Sequence, residues 1–366
     1  MTPRERLLFR RQFFLGPTDR FDPLHWQRQA LSADLCVVAH PDLELTHVRQ
    51  GERACALLGF LLDPNRPQAG HKELLDDLLR TSDSLEALVA ATGAYAGRWA
   101  MVLQDGPRTL VCHDATGLRQ VVYAQTADHA VVCASHPGLL AQVLALQPDP
   151  AALDYIRSRG DSEFEVYWLP GDRTLYREVK ALLPNHTLDA RTGQATRFTT
   201  APGPLPALSS EEALTRCLAT LRGLLDAARH RAPLAVSMTA GWDSRLVLAL
   251  SQPVRDDLYC FTLTYPHLSL DSRDVAVPAK LLRQLGLPHH LIAYPREIDA
   301  DFKALFQQST PSGSTAYCAD AQAIHAQYPD DRLCLTGDVA EIVKCFYRLP
   351  GVPANEVTPA QLAEVC

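Results

Sequence analysis

From Leu234 onward short apolar runs that break at small or polar residues alternate with amphipathic stretches of helical spacing, without any internal sequence repeat. "PLAVSM", "DLYCFTLTY", "PHHLIAY" and "DRLCLTG" read as strands, and "SRLVLALSQ" and "RDVAVPAKLLRQLG" as helices. Unbroken apolar strands alternating with helices call for a parallel sheet covered on both faces. A sheet of that kind offers ligands a crevice at the carboxyl ends of its strands.

Upstream the pattern differs. Short runs with turn signals between them ("DLCVVAHPD", "ACALLGFLLDPN", "QVVYAQTADHAVVCAS") point to antiparallel strands. "RWAMVLQDGPRTLVCHD" reads as a hairpin through Asp105, Gly106 and Pro107. Helical stretches at "HKELLDDLLRTSDSLEALVAATG" and "PGLLAQVLALQPDPAALDYIRSRG" interrupt the strands, so this half reads as a layered α+β domain. At 366 residues the chain can bury two cores. The division expected is a first domain over 1–198, a Pro-rich linker over 199–210, and an α/β domain over 211–366. The second opens on a helix capped by Ser209 or Ser210, with Glu211 or Glu212 close behind.

Composition narrows the function classes. A net charge of -7 with no basic run argues against nucleic acid as a partner. Only five of the 35 basic residues are lysines, so a chemistry that needs a lysine has few to draw on. The ten cysteines show no CxxC spacing and no Cys/His cluster, which favours buried free thiols over disulfides or zinc. The start, "MTPRERLLFRRQFFLGP", carries charges through every apolar stretch and does not read as a signal peptide. No apolar run is long enough to span a bilayer, so no membrane partner and a cytoplasmic location are expected.

The stretch "LAVSMTAGWDSRLVL" carries the chemistry. A strand that ends in Thr239, Ala240 and Gly241 and enters a helix at once presents unpaired backbone N–H groups and the positive end of a helix dipole to an anion. Thr239 and Ser244 add hydroxyls, and Asp243 makes sense beside a phosphate if Mg²⁺ lies between them. The alternative is an ordinary turn with Asp243 as a helix N-cap. The residues alone leave the two readings even.

Several segments, taken in order, resemble the asparagine synthetase family and its relatives, the β-lactam synthetases and lasso-peptide cyclases. "SMTAGWDSR" is similar to the family's pyrophosphate loop SGGxDS, with Thr239 for Ser and Ala240 for the first Gly. "GRWAMVLQDGPRTLVCHDATGLRQVVYA" resembles a block of its N-terminal domain at Gly97, Trp99, Ala100, Asp114, Gly117, Arg119 and Tyr123. "DRTLYREVKALLPNHTL" resembles the T-x-I-LPPGH segment, and "YCFTLTYPHLSLDSRDVAVPAKLLRQLGLPHHLI" the second strand with its Asp-rich turn at Asp271 and Asp274. "CLTGDVAEIVKCFY" sits where the family has SGEGGDELFGGY.

The resemblance implies an Ntn-hydrolase-like antiparallel sandwich followed by a doubly wound ATP-pyrophosphatase (PP-loop) domain. It implies ATP and Mg²⁺ as cofactors, with Ser237, Thr239, Ala240, Gly241, Asp243, Ser244 and Gly337 around the phosphates, and Phe261, Thr262 and Leu263 beside adenine. Asp243, Asp338 and Glu341 stand where metal ligands belong, Ile342 replacing the family's second acid; Asp338 and Glu341 read equally as helix caps. Asp243 and Arg245 would be the catalytic residues. The partners implied are ATP and a carboxylate and amine pair, with a homodimer left open as the assembly.

Three departures qualify the implication. The glutaminase cysteine position holds Thr2, Pro3 should hinder Met removal, and the first strand, "QFFLG", begins well downstream, so Thr2 is expected to dangle off the fold. No glutaminase activity is therefore expected, and the nitrogen would come from ammonia or a substrate amine. The chain ends at Cys366, short of the family's helical region, which implies either a truncated form or a branch that has lost that lid, and the nearest lysine, Lys344, reads as a solvated helix residue. The two functions carried forward are an AMP-forming amide ligase and a non-catalytic homologue with a regulatory or scaffolding role.

Overall fold

The computed structural model describes residues 2–17, 19–158, 169–199, 207–266, 268–311, 315–337, 358 and 361. In chain order its elements begin with α1 (Pro3–Leu7), β1 (Phe13–Gly16), β2 (Gln27–Ala30), β3 (Cys36–Ala39), β4 (Leu45–Gln50), β5 (Arg53–Leu62), α2 (His71–Thr81) and α3 (Leu85–Ala91). There follow β6 (Ala96–Asp105), β7 (Arg108–His113), β8 (Val122–Gln125), β9 (Val131–Ala134), α4 (Pro137–Leu144), α5 (Pro150–Ser158), β10 (Lys180–Ala181), β11 (His186–Asp189) and β12 (Ala195–Arg197). The last part carries α6 (Ser210–Arg229), β13 (Leu234–Ser237), α7 (Trp242–Leu250), β14 (Tyr259–Thr264), α8 (Arg273–Leu285), β15 (His289–Ala293), α9 (Ala300–Ser309), α10 (Thr315–Gln327) and β16 (Leu333–Leu335).

Packing divides the chain into two compact units, Met1–Arg231 with Ala293–Asp330, and Ala232–Ile292 with Asp331–Cys366. In the first, two six-stranded sheets, in the orders β10-β8-β9-β1-β3-β2 and β12-β11-β7-β6-β5-β4, lie face to face. The strand pairs described in both are antiparallel. Side-chain alternation explains the layering. Ala56 and Leu58 of β5 and Ala100 and Val102 of β6 meet Phe13, Leu15, Val37 and Ala39 of the other sheet. Their neighbours Cys55, Leu57, Trp99 and Met101 point outward onto Leu74, Leu78 and Leu88 of α2 and α3. On the far side Phe14, Val38 and Val132 pack on Leu139 and Leu140 of α4. Each large side chain buried this way stabilises by about 1.5–3 kcal/mol. The antiparallel sandwich expected of the first half is thus present, with helices on both outer faces.

Two glycines fix the central pair of strands. Gly59 (φ +106) and Gly97 (φ +115) lie where a Cβ would come 2.2 Å from the carbonyl oxygens of Arg98 and Phe60 across the β5–β6 ladder. Only glycine fits that backbone and that approach.

The unit boundary departs from the 198/211 division. Helix α6 packs on the first unit: Gly223 rests on Pro64, whose carbonyl oxygen is 2.1 Å from where a Cβ would stand. Just beyond the helix, Arg231 donates to the carbonyls of Ala69 (2.6 Å) and Leu61 (3.4 Å). Helix α9 is also held there, Ser309 accepting from the Phe9 N–H (3.0 Å) and from Gln12 Nε2 (3.1 Å). Residues 200–206 of the linker lie outside the described residues. Helix α6 opens as expected on a Ser209/Glu212 capping box. Thr2 does not dangle: it caps α1, and α1 with the turn after it is tethered by Arg6 and Arg10 to Asp42 (3.3 and 2.7 Å).

The second unit carries a four-stranded sheet in the order β15-β14-β13-β16. β13 pairs in parallel with β14 on one side (Ser237 with Phe261) and with β16 on the other (Val236 with Leu335). All eight described cysteines are free, and six are buried. Among the described residues no helix is long and apolar enough to cross a membrane.

Candidate functional site

β13 is the strand from which the sheet order departs in both directions, so the loop that leaves it, 238–241, stands at the switch point where such sheets bind ligands. Helix α7 starts immediately after. Its N-cap, Gly241, has no side chain to accept from the first-turn amides, so the helix presents its positive end uncapped. Gly337, just past β16, lies against this start. A Cβ on it would come 2.6 Å from Asp243 Cβ and 3.1 Å from the Ser244 nitrogen. The backbones leaving β13 and β16 therefore meet at Asp243 and Ser244 with no side chain between them.

The loop amides themselves are engaged. Thr239 N–H donates to Ser244 Oγ (3.2 Å), and Gly241 N–H to Thr239 Oγ1 (3.1 Å). Ala240 N–H donates to Asp274 Oδ1 (2.9 Å), a carboxylate from the first turn of α8. Ser244 is buried, its hydroxyl 3.1 Å from the Thr239 carbonyl and 3.3 Å from that of Gly241. So the loop does receive an anion at an amide, and that anion is the protein's own Asp274. Asp274 belongs to the Asp-rich turn singled out in the sequence, yet its contact with Ala240 could not be read there, because the two are brought together only by the sheet.

Arg245 donates through Nε to the Gly241 carbonyl (3.1 Å), and its guanidinium lies 4.4 Å over the Trp242 ring. Trp242 itself is 79% exposed. The three residues expected beside adenine do not share a face. Phe261 and Leu263 lie on one side of β14 and Thr262 on the other. Thr262 is buried and donates to the Met238 carbonyl (2.8 Å). Its oxygen also lies 2.8 Å from His289 Nε2. Since the Thr262 proton goes to Met238, the His289 ring must carry a proton on Nε2. Burial, then the neighbouring His290, lowers the His289 pKa, which suits that neutral tautomer. His290 stacks on Tyr259 at 4.2 Å. The histidine pair thus serves packing and loop support.

Asp338, Glu341 and Lys344 lie outside the described residues. Of the three expected metal ligands, Asp243 alone is described, and among the described residues no group of three or more His, Cys, Asp or Glu could hold a metal ion. One carboxylate together with phosphate oxygens is nonetheless a donor set that Mg²⁺ accepts.

In the first unit, Asp114 accepts from the N–H groups of Trp99, Thr116, Leu118 and Arg119 (2.8–3.3 Å), which folds the turn containing Gly117. The resemblance in this block is thus carried by a turn-organising aspartate.

No protein-family model matches the sequence, and no curated protein matches it. Among solved structures it is similar to the glutamine phosphoribosylpyrophosphate amidotransferase of B. subtilis complexed with ADP and GMP, at 12% identity and a TM-score of 0.33 over 86% of this chain. It is similar also to the allosteric regulatory enzyme of purine biosynthesis, at 12% identity and a TM-score of 0.32 over 98% of this chain and 93% of that one. A third is the glutamine-dependent NAD+ synthetase of Acinetobacter baumannii complexed with ADP, at 16% identity and a TM-score of 0.24 over 52% of this chain. The chain spans 64% of the length of the B. subtilis enzyme and 37% of the synthetase. None of the three is an asparagine synthetase, and likenesses at these scores carry no argument about this chain.

Proposed function

We propose that the second unit is an ATP-dependent, AMP-forming amide ligase of the asparagine synthetase type. It adenylates a carboxylate, releases pyrophosphate, and passes the activated acyl group to ammonia or a substrate amine. The observation that supports this best is the uncapped start of α7 at the switch point of the parallel sheet, with the Gly337 backbone against Asp243 and Ser244. The first-turn amides of α7 would receive the polyphosphate, and Asp243 would help hold Mg²⁺, which would supply neutralisation of the phosphate charge. Catalysis in this reading is placement and charge stabilisation. Glutamine hydrolysis is not assigned, because the exposed Thr2 uses its hydroxyl to accept the Glu5 N–H (3.2 Å) and lies ahead of β1.

One observation favours the second reading, a non-catalytic homologue. The amides of Thr239, Ala240 and Gly241 are all engaged within the protein, so a phosphate has to displace Asp274 before the loop closes on it. Calorimetry of ATP with Mg²⁺ on the wild type and on Asp243→Ala separates the two, alongside a pyrophosphate-release assay with ammonium and mixed carboxylates. Binding that is lost in the variant supports the ligase. A wild type that neither binds ATP nor releases pyrophosphate overturns it in favour of the silent homologue.

A further inference from the structure

Three arginines of the first unit, Arg11, Arg98 and Arg119, come together at the amino end of β1, and among the described residues Asp42, Asp330 and Asp114 are the carboxylates whose charge reaches Arg11 and Arg119. Arg119 donates through Nη1 to the carbonyl of Arg11 (3.1 Å), and Arg98 donates through Nε to the carbonyl of Leu118, the residue before Arg119 (3.0 Å). Among the described residues none of the three forms an ion pair, whereas their neighbour Arg10 pairs with Asp42 (2.7 Å) and Asp330 (3.5 Å).

The carboxylates facing the cluster are committed elsewhere. Asp42 holds Arg6 and Arg10. Asp330 faces Arg10. Asp114 accepts four backbone N–H groups and the Thr116 hydroxyl (2.8 Å). Arg119 Nε is meanwhile buried and has no hydrogen-bond partner. Burial, then Arg98 and Arg11, pushes the Arg119 guanidinium down to about 10, against the smaller opposing pull of Asp114. Arg11, whose carbonyl holds Arg119, has a left-handed backbone (φ 57), unusual for a residue that is not glycine.

A desolvated guanidinium with an unused donor, flanked by two more of the same charge, is unfavourable unless an anion completes it. Planar N–H forks match the oxygens of carboxylates and phosphates. We propose that Arg11, Arg98 and Arg119 form a second ligand site that binds the oxyanion of a small molecule, a carboxylate or a phosphate. Arg119 supplies the fixed buried donor, and the more exposed Arg11 and Arg98 close over the bound group.

The test uses inorganic phosphate and succinate as separate probes on the full chain. Arginines are modified with phenylglyoxal and mapped by peptide mass spectrometry, with Arg216 and Arg222 on the exposed face of α6 as references. Phosphate, succinate or both should slow modification of Arg11 and Arg98 several-fold relative to the references, and the better protector identifies the oxyanion class. By calorimetry, Arg98→Ala should weaken binding of that probe about tenfold, the loss of one charge-assisted contact. Arg119→Met should weaken it at least as much if it folds; Arg98 is exposed, so its variant keeps the test alive if Arg119→Met does not. Protection by neither probe, equal protection of the reference arginines, or undiminished binding in Arg98→Ala overturns the proposal.

Discussion

Replacing Gly337 by alanine tests whether the backbones beyond β13 and β16 meet as described. The added methyl would stand 2.6 Å from Asp243 Cβ, 3.0 Å from the Asp243 carbonyl carbon and 3.1 Å from the Ser244 nitrogen. Carbon atoms rest at about 3.5–4.0 Å, so roughly 1 Å of relief is needed, and two of the three contacts are backbone that cannot rotate away. Overpacking of this kind costs about 1–3 kcal/mol. The relief must come from the first turn of α7, which carries the amides assigned to the polyphosphate. Loss of one charge-assisted contact there, about 1.5–3 kcal/mol, weakens ATP binding by roughly ten- to a hundredfold. Urea unfolding and ATP calorimetry read the two effects. Gly286→Ala is the control: its φ is +71 with nothing within 4 Å of a Cβ, so it should destabilise the same unit by about 1 kcal/mol and leave ATP affinity alone. If Gly337→Ala changes neither stability nor affinity, the backbone beyond β16 does not abut α7 and the crevice argument fails.

Three further outcomes follow from the geometry. Asp274→Asn removes a negative charge from the Ala240 amide while keeping an acceptor there, and should raise MgATP affinity about fivefold by calorimetry; unchanged affinity would show that phosphate never reaches that amide. Burial holds the His136 pKa down to about 4, so the folded state resists a proton the unfolded chain accepts below about pH 6.5. Stability should therefore fall as pH drops from 6.5 towards 4, by on the order of 2 kcal/mol, and denaturation of His136→Gln should lose that slope. Among the described cysteines Cys217 and Cys334 are exposed, while burial raises Cys112 and Cys133 to about 12. Iodoacetamide at pH 8 should label the first two in the native protein and the second two only after unfolding, as read by peptide mapping.

How much of this was legible in the sequence varied with the kind of signal. The β6–β7 hairpin, α2, the strand–loop–helix at β13–α7 and the Ser209 cap were readable, because each is set by residues close together in the chain. The strand β2, "QRQA", was missed because its pattern is polar and its place is fixed by pairing with β3. The apolar run of β5, "RACALLGFLL", shows how far pattern reading reaches. An unbroken apolar strand signals burial on both faces, and here the covering layers are a second antiparallel sheet and a helix pair. The assignment of α6 and α9 to the first unit was illegible for the same reason: Gly223 on Pro64, and Ser309 on Phe9 and Gln12, are contacts between distant parts of the chain.

The loop after β13 shows why ancestry and activity separate. A sequence can specify small residues, a strand and a helix start, and those fix the bend. Whether the amides of the bend are open depends on what the rest of the unit aims at them, and Asp274, thirty-four positions beyond Ala240, is aimed at one. A carboxylate at that amide stabilises the loop without ligand and repels a polyphosphate that approaches it. Two unit charges about 4 Å apart near a protein surface interact by about 1–4 kcal/mol, comparable with the gain from one charge-assisted hydrogen bond. Asp243 adds to the same repulsion, and Arg245 is held on the Gly241 carbonyl and the Trp242 ring. A cation is therefore what the ligase reading most needs at this loop: with one bound, Asp243 would change from an obstacle into a ligand, Asp274 still holding the Ala240 amide against the phosphate, and without one both side chains keep the bend closed.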